Sequence, residues 1–358
     1  MVHIFHHIDA DGFAAAAVIG SVYLNTSQTG YTKEIAYYPV NYDMTMDFSP
    51  VKPGDEIFIV DYSISRESDQ KEIIRIAQNV TDNIHWIDHH KTSDEVLKKH
   101  PIFEKIAKNG LVDTSNKYAG CLLAYIWTCT EVITEKAKKQ YATEAPLWLK
   151  YVSDHDVWAK TIPESDAFSK GVTVSGLYKN FLDLENPDSY IRFVDIYPFN
   201  INDINQRHIS LGELVLELDS TRNERLVKNN GFETFLEILK DGKSSTYKII
   251  CFNGYGNSMV LGDRIYEYDA VCIFNTKDGI EFTYSMYSDK EKGMDCSIVA
   301  SFFKDYFGIT GGGHAHACGW TAPQLTFIKD NTSHIDVDSN QFIIVPADIL
   351  GKYQLIKT

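Results

Sequence analysis

The sequence predicts an α/β protein with two domains joined by a helical connector. Its 358 residues suit about two domains, because one domain takes ~150 residues. In the first half, short apolar runs alternate with amphipathic stretches, which favours βαβ units and a parallel sheet flanked by helices. A second alternating block begins near Tyr247 and predicts a smaller α/β domain with a mixed sheet.

The N-terminal block, expected to span residues 1–178, has four predicted strands: VHIFHH, IAYYPV, DEIFIVD and NIHWID. Helices are predicted over residues 13–24 and 66–80, and residues 111–158 are expected to be mostly helical. Residues 181–239 are polar with regularly spaced Leu and Ile. This spacing predicts a helical connector over residues 179–245.

The C-terminal block is expected over residues 246–358. Its predicted strands are YKIICF, DAVCIF and GIEFTYSMYS, and its predicted helices are SMVLGDRIYEY and SIVASFFKDYF. The last helix is followed by the glycine-rich stretch ITGGGHAHACGW. The mixture of strands and helices predicts a second, independent sheet.

Charge and cysteine content limit the classes of partner. The chain has 34 Lys and Arg against 49 Asp and Glu, a formal charge of -15, so we expect no binding of long duplex DNA. A small phosphorylated ligand held by metal ions stays open. The first residues contain no apolar stretch near the ~20 residues that a bilayer requires. We therefore expect no membrane association. Six cysteines without CxxC spacing predict reduced thiols and a cytoplasmic location.

The first polar motif, HIDADG, directly follows the strand VHIFHH. In an extended segment alternate side chains face the same way, so His7, Asp9 and Asp11 would project together. Gly12 would then allow a tight turn into a helix that begins at Phe13. One imidazole and two carboxylates at the carboxyl end of a strand suit a divalent metal. A capping Asp with solvated neighbours is the alternative.

Two further strands end in candidate ligands. Asp61 follows EIFIV; an Asp there commonly caps the next helix, but its place in the same sheet favours a role in the site. Asp88, His89 and His90 close NIHWID. One histidine could bind a metal while the next faces a substrate, with Asp88 fixing an imidazole tautomer. An exposed polar turn is the alternative.

Two segments later in the chain add candidates. In SDHDVW, positions two apart on a helix lie ~200° apart, so only one of Asp154 and Asp156 could face a metal. In GGGHAHACG, successive glycines would let the backbone approach a phosphate and present N–H groups to it. A flexible turn before a strand is the alternative.

Together these motifs resemble those of the DHH phosphoesterase family with the DHH-associated, GGGH-containing C-terminal domain. HIDADG is similar to the HxDxDG motif, IDHH to the name-giving motif, and GGGHAHACG to the C-terminal motif. IDHHKT followed by an Asp-x-Trp segment resembles most the NrnB-type oligoribonucleases, or nanoRNases. The resemblance spans about residues 1–322 and implies two domains with the active site in the cleft between them.

The resemblance also implies a role for each matching residue. The metal ligands would be His7, Asp9, Asp11, Asp61, His89 and Asp156. Asp61 would bridge two Mn²⁺ ions, with Mg²⁺ as an alternative, and the Asp-x-Trp match selects Asp156 over Asp154. His90 would contact the scissile phosphate, supported by Asp88. The substrate would be held by the glycine-rich segment, namely Gly311, Gly312, Gly313, His314 and His316.

Two positions depart from the family pattern, both in the substrate-holding domain. The family commonly has an Arg in a Ser-Leu-Arg-Ser strand, and the matching stretch here places Tyr287 at that position. Thr310 replaces the first of the family's frequent four glycines. We hypothesise that Tyr287 stacks on a base, or that Arg264 or Lys292 supplies the missing charge.

The function implied is a manganese-dependent phosphodiesterase or exonuclease that hydrolyses short RNA or DNA oligonucleotides to nucleoside monophosphates. Metal-activated water would attack directly, without a covalent intermediate. A phosphodiesterase of cyclic dinucleotides or other signalling nucleotides, and a phosphatase of 3′-phosphoadenosine phosphate (pAp), are alternatives. A catalytically silent nucleotide-binding regulator is disfavoured by the complete ligand set. Both a monomer and a homodimer are compatible with the sequence.

Overall fold

The computed structural model describes residues 1–25, 34–42, 44–175, 202–254, 267–276, 280–288 and 294–346. The chain divides into two compact units, Met1–Leu216 and Glu217–Thr358. The boundary falls inside a long helix, Asn202–Asn230. The division predicted at residues 178/179 lies outside the described residues, and the three-part domain limits stay a prediction.

The first unit contains a five-stranded parallel sheet in the order β2-β1-β3-β4-β5. Its strands are β1 (Val2–His7), β2 (Ile35–Val40), β3 (Glu56–Val60), β4 (Ile84–Asp88) and β5 (Leu111–Val112). The described helices before residue 175 are α1 (Ala10–Asn25), α2 (Glu67–Asn79), α3 (Ser93–Leu97), α4 (Pro101–Asn109), α5 (Gly120–Cys129), α6 (Glu135–Glu144), α7 (Leu147–Asp156) and α8 (Ser165–Val174). The predicted parallel sheet is confirmed.

Helices cover this sheet on both faces, because neighbouring strand residues point to opposite sides. On one face, Ile4 and Val60 lie in a core with apolar residues of α1, α5 and α7. On the other face, Ile59 and Trp86 lie in a core with apolar residues of α2 and α4. Strands buried on both faces read as the continuous apolar runs seen in the sequence.

Helix α1 begins at Ala10, three residues before the predicted start at Phe13. Asp11 therefore lies in the first helical turn, and the prediction that it continues an extended segment is wrong. A Cβ at residue 12 would lie 2.2 Å from the His7 carbonyl oxygen. Gly12 thus allows the first turn of α1 to approach the end of β1 closely, rather than serving as a turn before the helix.

The second unit contains a mixed eight-stranded sheet in the order β10-β11-β9-β8-β7-β6-β12-β13. Its strands are β6 (Gly231–Lys240), β7 (Lys243–Asn253), β8 (Ala270–Thr276), β9 (Phe282–Ser288), β10 (Gly311–His314), β11 (Ala317–Ala322), β12 (Asn331–Asp336) and β13 (Gln341–Pro346). Helix α9 (Asn202–Asn230) precedes β6, and helix α10 (Cys296–Phe307) lies between β9 and β10. The predicted mixed α/β fold of this region is confirmed.

The predicted helix over residues 181–239 is wrong after Asn230, where β6 begins. Alternate residues Thr234, Leu236 and Ile238 are buried in β6, so a period of two prevails there over the helical spacing read from the sequence. Residues 176–201, and nearly all of the predicted helix SMVLGDRIYEY, lie outside the described residues.

The described residues also show whether a helix could span a membrane and how the cysteines are arranged. Within the described ranges, no helix combines the length and the apolar character that crossing a bilayer requires. All six cysteines are free thiols, and all except Cys129 are buried. The buried thiols contribute to the apolar cores rather than to cross-links.

Candidate metal centre

The structure brings together the six residues that the resemblance implies as metal ligands, at the carboxyl edge of the five-stranded sheet. They come from the β1–α1 junction, the residue after β3, the residue after β4 and the end of α7. They form two groups, in each of which the ligand atoms lie within 4.8 Å of one another. The groups are His7, Asp9 and Asp61, and Asp11, His89 and Asp156.

Asp61 belongs to the first group and also approaches the second. Its Oδ2 is 3.9 Å from His7 Nδ1, and its Oδ1 is 3.2 Å from His89 Nε2. The residue is 1% exposed, and within the described residues neither carboxylate oxygen accepts a hydrogen bond. A buried carboxylate without donors is costly, so this oxygen pair is suited to a cation.

Asp61 also has an uncommon backbone conformation, with φ +51°. Its N–H donates to the Ile87 carbonyl at 2.8 Å, which continues the β3–β4 pairing by one residue. Positive φ is unusual for a residue with a side chain and is frequent at functional sites. Here it accompanies the turn of the Asp61 carboxylate toward the two histidines.

His89 joins the second group. Its Nε2 lies 3.2 Å from Asp156 Oδ2 and 3.6 Å from Asp11 Oδ2. Burial and the neighbouring His90 lower the pKa of His89. A neutral imidazole is the form that binds metals, so the surroundings favour the ligand state of this residue.

The acids of the cluster repel one another. Burial and the charges of Asp11 and Asp9 raise the pKa of Asp61 well above 3.8, and the same causes raise the pKa of Asp156. Burial would also raise the pKa of Asp9, but a hydrogen bond with His7 holds it low. A divalent cation would relieve this repulsion. The donors are carboxylates and imidazoles, a set that suits Mn²⁺ or Mg²⁺.

The N-terminus of α5 fixes Asp11. The N–H of Gly120 donates to Asp11 Oδ2 at 2.6 Å, and the N–H of Cys121 donates to Asp11 Oδ1 at 2.8 Å. A Cβ at residue 120 would lie 2.7 Å from Asp61 Cβ and 2.9 Å from Asp11 Oδ2. Only glycine fits there. Sequence reasoning missed this contact, because no spacing rule connects residues 11 and 120.

Asp88 lies behind His90. Its Oδ1 is 2.7 Å from His90 Nδ1, and its Oδ2 accepts a hydrogen bond from the Ser93 hydroxyl. Burial alone would lower the pKa of His90, but the charge of Asp88 and the hydrogen bond to it raise the pKa to about 9. His90 also lies close enough to Asp61 and His89 to form a third possible ligand group. The contact between Nδ1 and Asp88 therefore fixes the orientation of the His90 ring.

The two candidate acids at the end of α7 have different surroundings. Asp156 faces His89, whereas Asp154 accepts hydrogen bonds from the N–H groups of Thr161 at 2.9 Å and Ile162 at 3.2 Å. The Ser165 hydroxyl donates to Asp154 at 2.8 Å. Asp154 is thus satisfied by the segment that follows α7, as expected for two positions on opposite sides of a helix.

In the second unit, the predicted substrate residues that the structure describes lie on or next to one β-hairpin. Gly311, Gly312, Gly313 and His314 form β10, which pairs with β11; this segment is a strand and not a flexible turn. A Cβ at Gly313, where φ is +138°, would lie 2.6 Å from the Ala317 carbonyl oxygen. The hairpin tip, which contains His316, is anchored by N–H bonds from Ser288 at 3.1 Å and Cys296 at 2.8 Å.

Tyr287 lies on β9, opposite Ala317 of the same hairpin. Its ring is half-buried and packs with a small apolar cluster that includes Ile250 and Phe252. Burial raises the pKa of its hydroxyl. Arg264 and Lys292, which were predicted as alternative sources of the missing positive charge, lie outside the described residues.

Several solved structures share a distant likeness with this chain. An uncharacterized protein from Helicobacter pylori G27 is 14% identical, with 91% of this chain and 94% of that chain covered and a TM-score of 0.40. The pGpG-specific phosphodiesterase PggH from Vibrio cholerae is 11% identical, with 90% and 94% covered and a TM-score of 0.47. RecJ from Thermus thermophilus, in complex with Mn²⁺, is 12% identical, with 89% and 49% covered and a TM-score of 0.39.

Among curated proteins, no match to this chain was found. The comparison with protein families gives a match over the region that carries the metal centre. Residues 1–151 match the DHH family, N-terminal domain. This range contains five of the six candidate ligands, and Asp156 follows it. The first part of the chain is thus similar to the N-terminal domain of the DHH family.

Proposed function

We propose that this chain is a metal-dependent phosphodiesterase that hydrolyses short oligonucleotides and releases nucleoside monophosphates, with Mn²⁺ as the preferred metal. The match of residues 1–151 to the DHH family supports a metal-dependent phosphoesterase. The observation that carries the proposal is Asp61, whose buried carboxylate lacks donors within the described residues. This carboxylate belongs to one ligand group and lies 3.2 Å from His89 of the other. The NrnB-like motifs support a short substrate.

We assign the ligands by these groups. His7, Asp9 and Asp61 would hold one cation, and Asp11, His89 and Asp156 would hold a second, with Asp61 shared. A bound pair of divalent cations supplies charge neutralisation for the phosphodiester and a water molecule that ionises near neutral pH.

The protein itself prepares the site in three ways. The α5 N–H groups hold the Asp11 carboxylate in one orientation. Burial lowers the pKa of His89 and so favours the neutral imidazole that can act as a ligand. Asp88 keeps His90 protonated, so that His90 can donate a hydrogen bond or a proton to a phosphate oxygen as charge develops there.

Nearby nucleophilic side chains have other partners. The Ser93 hydroxyl donates to Asp88, and the Thr92 hydroxyl donates to the Ser63 hydroxyl at 2.7 Å. Burial and Asp11 raise the pKa of the Cys121 thiol well above its usual range, so this cysteine stays protonated and is a weak nucleophile. Direct attack by water is therefore the mechanism we propose.

A product analysis tests the substrate class. The enzyme with Mn²⁺ is given separate RNA and DNA dimers and trimers, a cyclic dinucleotide, pAp and a long duplex. We expect mononucleotide release from dimers and trimers, loss of activity with EDTA, and no turnover of the duplex. Preferential ring opening or dephosphorylation of pAp would replace the substrate assignment. No hydrolysis of any phosphoester would overturn the proposal.

A further inference from the structure

Tyr42 is an aromatic residue next to the metal centre that the sequence motifs do not single out. It follows β2 by two residues, and its ring centroid lies 5.3 Å from that of His7 and 6.2 Å from that of His90. These two histidines belong to different candidate ligand groups. Tyr42 therefore borders the region where a phosphate would bind.

The ring of Tyr42 is held in place from several sides. It stacks on the buried Tyr62, with centroids 4.9 Å apart and an interplanar angle of 16°. Its hydroxyl oxygen accepts a hydrogen bond from the Ser63 N–H at 3.3 Å. Its carbonyl oxygen accepts a hydrogen bond from the Arg66 guanidinium, which also donates to the Thr45 hydroxyl at 3.1 Å. The ring and its backbone are thus both restrained.

Despite these restraints, Tyr42 is 40% exposed, whereas its stacking partner Tyr62 is 0% exposed. A partly exposed aromatic residue that is already ordered loses little conformational entropy when a ligand stacks on it. Aromatic rings that bind single-stranded nucleic acids act in this way, and every base offers a π-face to them.

We propose that Tyr42 is the stacking platform for the nucleobase next to the phosphate at the metal centre. This inference rests on the proposed function and deepens it. It assigns the substrate as a nucleotide whose base contributes to binding. The base-contacting side chain is in the first unit, in addition to any contact made by the glycine-rich hairpin.

The stacking role predicts that Tyr42 affects the affinity for a base and not for a sugar phosphate. In the Mn²⁺-loaded protein, calorimetry would compare adenosine 5′-monophosphate with ribose 5-phosphate. Tyr42→Ala should weaken adenosine monophosphate binding about tenfold, as expected for one lost base stack, and leave ribose 5-phosphate unchanged. Tyr42→Phe, which keeps the ring, should bind adenosine monophosphate within about twofold of the wild type.

Tyr38→Ala is the matched control. Tyr38 also stacks on an aromatic ring, that of Phe5 at 4.6 Å, but its hydroxyl contacts His3 at the other end of the sheet. This variant should bind both ligands as the wild type does. Equal weakening of both ligands by Tyr42→Ala, or unchanged adenosine monophosphate binding, would overturn the inference. Failure of the proposed function would show separately, as wild-type protein that hydrolyses none of the phosphoesters.

Discussion

The two ends of strand β3 carry aspartates with opposite surroundings. Asp55 precedes the strand and accepts hydrogen bonds from the Met1 amine at 2.8 Å, from His3 Nε2 at 3.0 Å and from the Lys52 N–H at 2.8 Å. Asp61 follows the strand and, in the described part of the chain, accepts none. Both residues are largely buried, so burial alone does not distinguish them.

The difference in donors gives the two carboxyls opposite pKa shifts. Burial raises the pKa of Asp55, but the bonds from the Met1 amine and His3 outweigh it and lower the pKa. Burial and the neighbouring acids raise the pKa of Asp61. A buried acid that accepts hydrogen bonds can stabilise the fold, whereas a buried acid without donors is costly unless it is protonated or binds a cation. On the proposed function, the carboxyl end of this sheet would serve metal binding, whereas the contacts of Asp55 at the amino end contribute to stability.

Replacing Asp61 or Asp55 with asparagine tests this comparison, and Asp61→Asn has the largest expected effect on turnover. Asp61→Asn should reduce turnover by about a thousandfold or more, because the shared ligand is lost. Asp55→Asn should leave turnover unchanged and lower stability, because it removes an ion pair. Steady-state kinetics with Mn²⁺ and urea denaturation measure the two effects. Equal effects of the two variants on turnover would contradict the distinction.

The same pair predicts opposite pH dependences of stability in the metal-free protein. A raised folded-state pKa means that Asp61 stabilises the fold fully below its ordinary value of 3.8 and less as pH rises. Asp55, with a lowered pKa, stabilises the fold above 3.8 and loses this effect as pH falls. Urea denaturation in the presence of EDTA, from acid to neutral pH, measures this dependence. The free energy of unfolding of Asp61→Asn should increase relative to that of the wild type as pH rises. A parallel profile for all three proteins would contradict the assignment.

Gly120→Ala sharpens the comparison at the carboxyl end. The added Cβ would press on Asp61 Cβ and Asp11 Oδ2, and misplaced ligands should lower turnover about a hundredfold. Gly54→Ala is the control at the amino end, where φ is +86° and nothing lies within 4 Å of the new Cβ. It should cost roughly 1 kcal/mol of stability from backbone strain and leave turnover unchanged. Similar kinetics for the two variants would show that Gly120 has no special role.

Asp88→Asn should have a smaller effect, about 10- to 100-fold on turnover. Asp88 keeps the pKa of His90 at about 9, and without its charge burial should dominate and lower that pKa. The alkaline limb of the pH–rate profile should then move toward neutral pH. Asp94→Asn is a control on the neighbouring helix, where Asp94 accepts a hydrogen bond from the Thr114 hydroxyl at 2.9 Å. An unmoved alkaline limb in Asp88→Asn would exclude His90 as the titrating group.

Tyr287→Ala tests the second unit and should have the smallest effect. If the ring stacks on a base, the KM for dinucleotides should rise about tenfold with kcat unchanged. If the ring only packs against Ile250 and Phe252, stability should fall with KM unchanged. Kinetics on RNA dimers together with thermal denaturation separate these results, and an unchanged KM excludes the stacking role.

Much of the fold could be predicted from the sequence because local patterns carry it. Continuous apolar runs indicated the strands of the parallel sheet, and polar residues at their ends indicated the candidate ligands. Asp11 was misplaced because Gly12 looked like a turn residue, whereas its lack of a Cβ permits a helix close to His7. The strand at Gly231 was read as helix because its apolar spacing is ambiguous between the two periods.

The parts of the site that were missed depend on contacts between distant segments. The Gly120 N–H donates a hydrogen bond to Asp11, which lies more than a hundred residues earlier in the chain. No local sequence pattern indicates such a pair. Tyr42 gave no signal either, since a single aromatic residue after a strand is common. Its proposed role could be inferred only from the structure, through the distance between its ring and His7 and through its exposure.

The most direct measurement is an anomalous difference map from a crystal of the protein soaked in Mn²⁺. We predict two peaks at the carboxyl end of the five-stranded sheet, one beside His7 and Asp9 and one beside His89 and Asp156, with Asp61 contacting both. Side chains there that turn away from one another, with no anomalous density among them, would contradict a metal-dependent hydrolase.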